Sequence, residues 1–466
     1  MVYDLIIVGA GTAGISAYKT AVKKTQNILI VNDGPWDTTC ARVGCMPSKV
    51  LISSANRLFE AQNLQQVGMT ATLSADTTQV MQHVQQLRQR FTDATLKEVA
   101  QWPDEHKLSG RASFVNANTI EVNGQRYQAK RFILAVGSRP NINTEWQSQI
   151  ADKQLTSDQI FELEQLPESI AVIGSGVIAI ELAQALHRLG VHTTIFARSQ
   201  KVGSLTSPEL QHLAKQQLQT ELNILFEVLP EQVSLQQNQV KIDYRQNAEL
   251  HSIEVDYILN ATGRSSLLSS LKLEQIDPSF SELKTLPVNP DTKQLANYPI
   301  FIAGDAFSHH PIQHEAANDG RIAVHNALNY PQIQPIQPRP ALAIVFSSPE
   351  MAIVGVSYQS LIQQKIDFVV GAQSFERQGR ATVLGKNTGA VEIYVDQHSR
   401  KILGAELFVE AAEHFAHLLN WMIGEQCTVD DLLQKPFYHP TLEEGLRSAF
   451  KKAKSKLDQT ITPNKV

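Results

Sequence analysis

Cysteine is scarce in this chain: three residues, Cys40, Cys45 and Cys427, among 466. That excludes a secreted framework stapled by disulfides, and in a reducing compartment a bridging pair would be catalytic or redox-sensing. Long apolar runs are missing too, none approaching the roughly 18 residues of a membrane span. Charge of one sign is not in excess. The balance of 41 Lys and Arg against 46 Asp and Glu leaves a net −5, which offers no basic footprint for nucleic acid. The one basic run, Lys451, Lys452, Lys454 and Lys456, reads as a solvated helix end or a frayed terminus. The N-terminus opens directly on the buried-strand pattern YDLIIVGAG and leaves no room for a signal peptide. These absences predict a cytoplasmic protein with no nucleic-acid, membrane or metal partner, and the length calls for two to four domains.

What is present is glycine in a repeated grammar. Leu5-Ile6-Ile7-Val8 reads as a strand, Gly9, Gly11 and Gly14 as a tight turn, and an alanine-rich helix follows to about Lys24. A second strand over Asn27–Val31 completes a βαβ unit, the context a dinucleotide fingerprint requires. The same order recurs with strand Ile170–Ile173, turn glycines Gly174 and Gly176, a helix to Leu189, and strand Thr193–Phe196. Two such units predict two dinucleotide sites. Three more short strands end at Gly137, Gly263 and Gly304, the last followed by Asp305, at the carboxyl edge where parallel sheets bind ligands. Asp305 is placed for a ribityl or phosphate-side hydroxyl, or else to cap the next turn. Four prolines between Asn329 and Pro340 mark a linker. Beyond it, strands (343–346, 391–395, 402–408) and an amphipathic helix (413–423) read as an α+β interface domain. The predicted fold class is therefore α/β, two Rossmann-like dinucleotide-binding domains plus a C-terminal α+β dimerisation domain.

Residues 38–49, TTCARVGCMPSK, set two cysteines five positions apart. On one regular helix an i,i+5 pair lies roughly 8.6 Å apart at Cα, beyond the reach of a disulfide. A bridge would need a broken or just-starting helix, for which Gly44 and Pro47 supply the irregularity.

These motifs, with AVGSRP at 135–140, NATGR at 260–264, FIAGD at 301–305 and His439-Pro440-Thr441-Leu442-Glu443-Glu444, resemble the flavin-dependent pyridine nucleotide–disulfide oxidoreductases, most of all the dihydrolipoamide dehydrogenases. The resemblance implies FAD and NAD or NADP as cofactors, with Cys45 against the flavin and Cys40 exchanging with substrate. It implies a homodimer in which His439, oriented by Glu444, serves as base for the other subunit. It sets Lys49, paired with Glu181, near the flavin, where a cation stabilises the reduced ring. It assigns His314 to cofactor contact, and takes the substrate as a small dithiol or disulfide or a lipoyl domain. From the residues alone, Thr441-x-x-Glu444 is equally a capping box. The division it implies is 1–145 and 266–335 for FAD, 146–265 for NAD(P), and 336–466 for the interface. Cys427 reads as a structural thiol. With no cysteine pair beyond it, mercuric reductase and large thioredoxin reductases are the less favoured relatives.

Four departures qualify the resemblance. The acid expected for the adenosine ribose is Asn32, with Asp33 beside it. Asp37 and Thr38 replace two glycines before Cys40. The second unit's last strand ends in Ala197-Arg198, with Lys201 following; an arginine there accommodates a 2′-phosphate, so NADP(H) use is expected. Lys19 falls where glutathione reductases carry an arginine for their anionic substrate, or is simply an exposed lysine. The alternatives are an NADPH-dependent glutathione reductase-like enzyme and, in another class, a flavoprotein transhydrogenase or redox-sensing module that does not use the disulfide.

Overall fold

The computed structural model describes residues 1–307 and 311–461. Its first sheet is parallel, in the order Ile300–Ile302, Phe132–Leu134, Leu5–Val8, Ile28–Asn32, Lys107–Ser109. The central strand is buried along its whole length, as a strand covered on both faces must be. The helix after its glycine turn runs Thr12–Ala21, three residues shorter than the sequence suggested, because residues 22–24 close it in a turn. The second strand is shifted by one, so that Asn32 is its last residue. Helix Gln313–Asn329 packs across Thr12–Ala21, and a Cβ at Gly320 would lie 2.3 Å from the Ala13 carbonyl oxygen. Only glycine permits that approach.

The second parallel sheet repeats the order: Gln154–Thr156, Tyr257–Asn260, Ser169–Ile173, His192–Ala197, Asn223–Phe226. In both sheets the strand bearing the glycine turn is central. Two antiparallel pieces, one strand from each connection (Ser138–Pro140 and Arg264–Ser266), tie the two sheets together. A third sheet, of five antiparallel strands, follows residues 331–341, which form neither helix nor strand. Helices Ala412–Gly424 and Glu444–Ile461 cover it.

Two long helices follow the first glycine unit: Cys45–Gln62, whose start at Cys45 was expected though its length was not, and Thr77–Ala100, which sequence reasoning missed. The first is the keystone of the site. Its Leu51 and Ala55 share a core with Ile180 and Ala183 of the helix Val177–Arg188, so the segment that carries the cysteines is packed directly against the second glycine unit.

Candidate active site

Thr38 caps one short turn, Thr39–Arg42, its hydroxyl accepting from the Ala41 amide at 3.2 Å. The chain then breaks at Val43 and Gly44, and a Cβ at Gly44 would stand 3.1 Å from both Cys40 Cα and the Thr39 carbonyl oxygen. A new helix starts at Cys45. The irregularity therefore lies at Val43 and Gly44, ahead of Pro47. Pro47 sits in the new helix's first turn, where no amide donor is needed and a proline costs nothing. Asp37 and Thr38 have work of their own: Asp37 is buried and holds Arg42 Nε at 2.9 Å, while Thr38 is the cap.

This fold-back brings Cys40 and Cys45, both free thiols, into hydrogen-bond contact. The Cys40 thiol donating to Cys45 lowers the Cys45 pKa to about 6 against its burial, aided by the Lys49 ammonium and the Cys45 amide at the helix start. The same bond, with burial, pushes Cys40 up. The proton rests on Cys40 and the thiolate on Cys45. Lys49 Nζ lies 2.7 Å from Glu181 Oε2 and 4.7 Å from the Phe346 ring centre, while Glu181 Oε1 accepts from the Phe346 amide at 2.8 Å.

The dithiol opens on a cavity of about 320 Å³. Gly11, Thr12 and Ala13 of the first glycine turn line it, as do Gly137, Asp305 and Lys49; Val177, Ile178 and Glu181 come from the second glycine unit. One chamber is thus reached by both βαβ units and by the cysteines. Burial raises the pKa of Asp305, with Arg264 and Ser138 acting against it. Arg264 itself is anchored to Asp158 at 3.2 Å and Ser138 Oγ at 3.0 Å and lines the chamber. Sequence reading quoted Arg264 in NATGR without giving it a role, and only its long-range partners reveal one.

The residues fit an extended dinucleotide at the first turn. A Cβ at Gly11 would face open space, whereas one at Gly14 would strike the Gly9 carbonyl oxygen, so the backbone is bare where a pyrophosphate would approach and tight behind it. Gly304 has φ +68° and lies against Ala13. At the second turn Gly174 closes on the Ala261 carbonyl and Gly176 faces open space, and the Gly263 carbonyl accepts from the Asn141 amide at 3.0 Å.

Other expected residues stand elsewhere. Asn32 Oδ1 accepts from the Ala10 amide at 2.9 Å, and its Nδ2 donates to the Gly34 and Pro35 carbonyls, so the side chain braces the glycine turn. Asp33 is ion-paired with Arg111 at 2.7 Å. His314 is not brought to the chamber wall; it is exposed, 3.3 Å from Glu315, and its neighbours Ile312, Gln313 and Ala316 line the chamber instead. Lys19 is ion-paired with Glu98 at 2.8 Å. Arg198 and Lys201 are exposed side chains, neither with an ion pair among the described residues.

His439 Nδ1 is 3.1 Å from both oxygens of Glu444, an exposed pair at the start of helix Glu444–Ile461. The capping box is only half made. Glu444 accepts from the Thr441 amide at 3.2 Å, but the Thr441 hydroxyl donates to the Tyr438 carbonyl. His439 and the Thr441 amide lower the Glu444 pKa. Within one chain the imidazole does not line the chamber.

Comparison with known proteins agrees with this geometry. Residues 3–325 match the family model described as pyridine nucleotide-disulphide oxidoreductase, and residues 342–450 match the dimerisation domain of that family, which indicates a homodimer. The chain is 30% identical to a mercuric reductase of Staphylococcus aureus over 98% of its own length and 84% of the relative's. It is 29% identical to a dihydrolipoyl dehydrogenase of Geobacillus stearothermophilus, covering 95% and 94%. The crystal structure of LpdA from Mycobacterium tuberculosis superposes with a TM-score of 0.82 at 22% identity, over 97% of this chain and 99% of that one. Among the described residues no helix is long and apolar enough to cross a membrane.

Proposed function

Since the chain belongs to the pyridine nucleotide–disulphide oxidoreductases, enzymes that use FAD and NAD(P)H, we propose that it moves electron pairs between a nicotinamide nucleotide and a dithiol/disulfide couple through Cys40 and Cys45, with lipoamide, free or on a lipoyl domain, as substrate. The observation that carries this reading is the polarised dithiol on the wall of a chamber that both glycine units enter.

Each residue has a task in the dithiol-oxidising direction. A substrate thiolate attacks Cys40 Sγ of the oxidised pair; the Cys40–Cys45 bond breaks and its electrons go to Cys45, which the helix start and Lys49 suit to hold negative charge. The second substrate sulfur then attacks the first, the mixed disulfide breaks, and the pair leaves on Cys40, which keeps a proton. His439 takes the other substrate proton, with Glu444 fixing its ring and stabilising the imidazolium. Its absence from the chamber wall of its own chain supports action in the partner's site. When bound, FAD supplies two-electron transfer between Cys45 and the nicotinamide.

Arg198 and Lys201 support use of NADPH: two exposed cations, neither ion-paired among the described residues, follow the end of the strand where a carboxylate would repel a 2′-phosphate. Lys19 gives no support to an anionic disulfide substrate, its charge being met by Glu98. Steady-state assays with lipoamide and with oxidised glutathione, each with NADH and NADPH, test the reading. Turnover of lipoamide is expected. A kcat/KM favouring NADH by about a hundredfold (about 2.7 kcal/mol) would sink the NADPH assignment, and turnover of glutathione alone would sink the lipoamide one.

A further inference from the structure

The segment from Arg198 to Ser207 follows the second strand of the second glycine unit and is held at three points. Ser175, inside the glycine turn, donates its hydroxyl to the Lys201 carbonyl at 2.6 Å, and its own carbonyl accepts from the Gly203 amide at 2.8 Å. Gln211 accepts from the Val202 amide at 3.0 Å and donates to the Val202 and Leu205 carbonyls. The third point lies in another part of the chain. Glu406, on strand Ile402–Val409 of the interface sheet, is fully buried. One of its oxygens accepts from the Thr206 amide at 2.6 Å and the Ser207 amide at 2.9 Å. The other accepts from the Thr206 hydroxyl and from the Tyr358 amide at 2.9 Å. Met351 of the same sheet closes against Gly203, where a Cβ would stand 2.3 Å from its sulfur.

Four donors converging on one buried carboxylate is far more than strand pairing requires. Buried charges persist where such donors meet them, and removing the charge leaves the donors unsatisfied. Glu392, the cross-strand neighbour of Glu406, is different. Among the described residues it meets the Tyr394 hydroxyl at 3.2 Å and Ser207, and burial raises its pKa, so a neutral group suits that place.

We propose that Glu406 is a positioning residue for nucleotide recognition: from the dimerisation domain it fixes the loop that presents Arg198 and Lys201, and so sets affinity for the phosphate-bearing adenosine end of the nicotinamide nucleotide. This rests on the reading that the loop meets that end of the nucleotide. The loop has no helix or strand of its own over 198–207, so its shape depends on these anchors. Glutamine at 406 would turn an amide donor toward backbone N–H groups that can only donate.

The test is titration of the oxidised holoenzyme with 2′,5′-ADP and 5′-AMP, alongside the rate at which dihydrolipoamide reduces the bound flavin. Wild type is expected to bind 2′,5′-ADP the more tightly. Glu406→Gln should weaken 2′,5′-ADP binding about tenfold, the equivalent of one unsatisfied buried group, and 5′-AMP binding less, with flavin reduction unchanged. Glu392→Gln should alter none of the three. Thr206→Val, which keeps the backbone and removes one donor, should move 2′,5′-ADP binding in the same direction if Glu406→Gln does not fold. Unchanged affinity for both ligands in the 406 or 206 variant overturns the proposal. So does an equal loss of flavin reduction, which marks a merely structural residue. A wild type indifferent to the 2′-phosphate would instead refute the Arg198–Lys201 reading, leaving the 5′-AMP affinity to decide the role of Glu406.

Discussion

In the proposed reaction the chemistry turns on Cys45, and its low pKa is a product of position. It begins a helix, accepts a hydrogen bond from Cys40, and has Lys49 one turn on. With the pKa drawn below that of a free thiol, the thiolate persists above about pH 6 and is lost as pH falls through that value. Iodoacetamide should therefore alkylate reduced enzyme at Cys45 with a midpoint about pH 6, and Lys49→Met should move the midpoint upward; a midpoint near that of free cysteine in wild type would contradict the account. Much of this was legible in TTCARVGCMPSK, since a bridge at that spacing needs a broken or just-starting helix, and the Lys49–Glu181 pairing was expected from the resemblance. Other features were not legible. Asn32 has the right place for a ribose partner, yet its three hydrogen bonds go to the backbone around it, and no sequence pattern reports a side chain already spent. Reading Thr441-x-x-Glu444 could not separate cap from orienting acid, because the hydroxyl's choice of the Tyr438 carbonyl exists only in the folded turn.

Among elements, the helix Ala412–Gly424 has an unusual start. Its cap residue, Ala411, is left-handed with φ 60° and has no capping side chain. Glu350 from the neighbouring strand accepts from the Glu413 amide at 2.8 Å instead. Burial raises Glu350 to about 7, with Glu413 and Glu410 adding to the rise. A carboxyl whose folded pKa exceeds its unfolded one favours the folded state while protonated, and that advantage is lost as pH rises from about 4.5 through about 7. Glu350→Gln keeps an acceptor for the amide without the charge. Its melting temperature should therefore exceed wild type by a few degrees at pH 8, the two converging at pH 5; a lower melting temperature at pH 8 would count against this. The elements with a strong local pattern, the two glycine units, were read to within three residues at their ends. The helix Thr77–Ala100 was missed although Asp76 caps it and Val80, Met81, Val84 and Leu87 share a face, because its many glutamines dilute the apolar stripe.

At the scale of the whole molecule, two sheets of identical strand order face one chamber, while His439 and Glu444 stand at the start of a helix that covers a third sheet. The repeat of βαβ units announced the first two. The antiparallel sheet has no such fingerprint, and its contact with the loop 198–207 through Glu406 joins residues two hundred apart in sequence. If His439 serves the partner's cysteines, each site is complete only in the dimer. Cys45→Ser and His439→Gln homodimers should each lose about a hundredfold or more of dithiol turnover. Subunits of the two, unfolded and reassociated at random, should recover about a quarter of wild-type activity, since half the dimers then hold one intact site. No recovery would place the base in its own subunit's site.

The most direct test is anaerobic two-electron reduction of the purified flavoprotein, followed by its visible spectrum. A Cys45 thiolate against the flavin predicts a long-wavelength charge-transfer band at half-reduction, fading as pH falls through about 6 and absent in Cys45→Ser. If the wild type instead takes up its first electron pair by bleaching the flavin, with no such band, the disulfide is not on the electron path and the account is wrong.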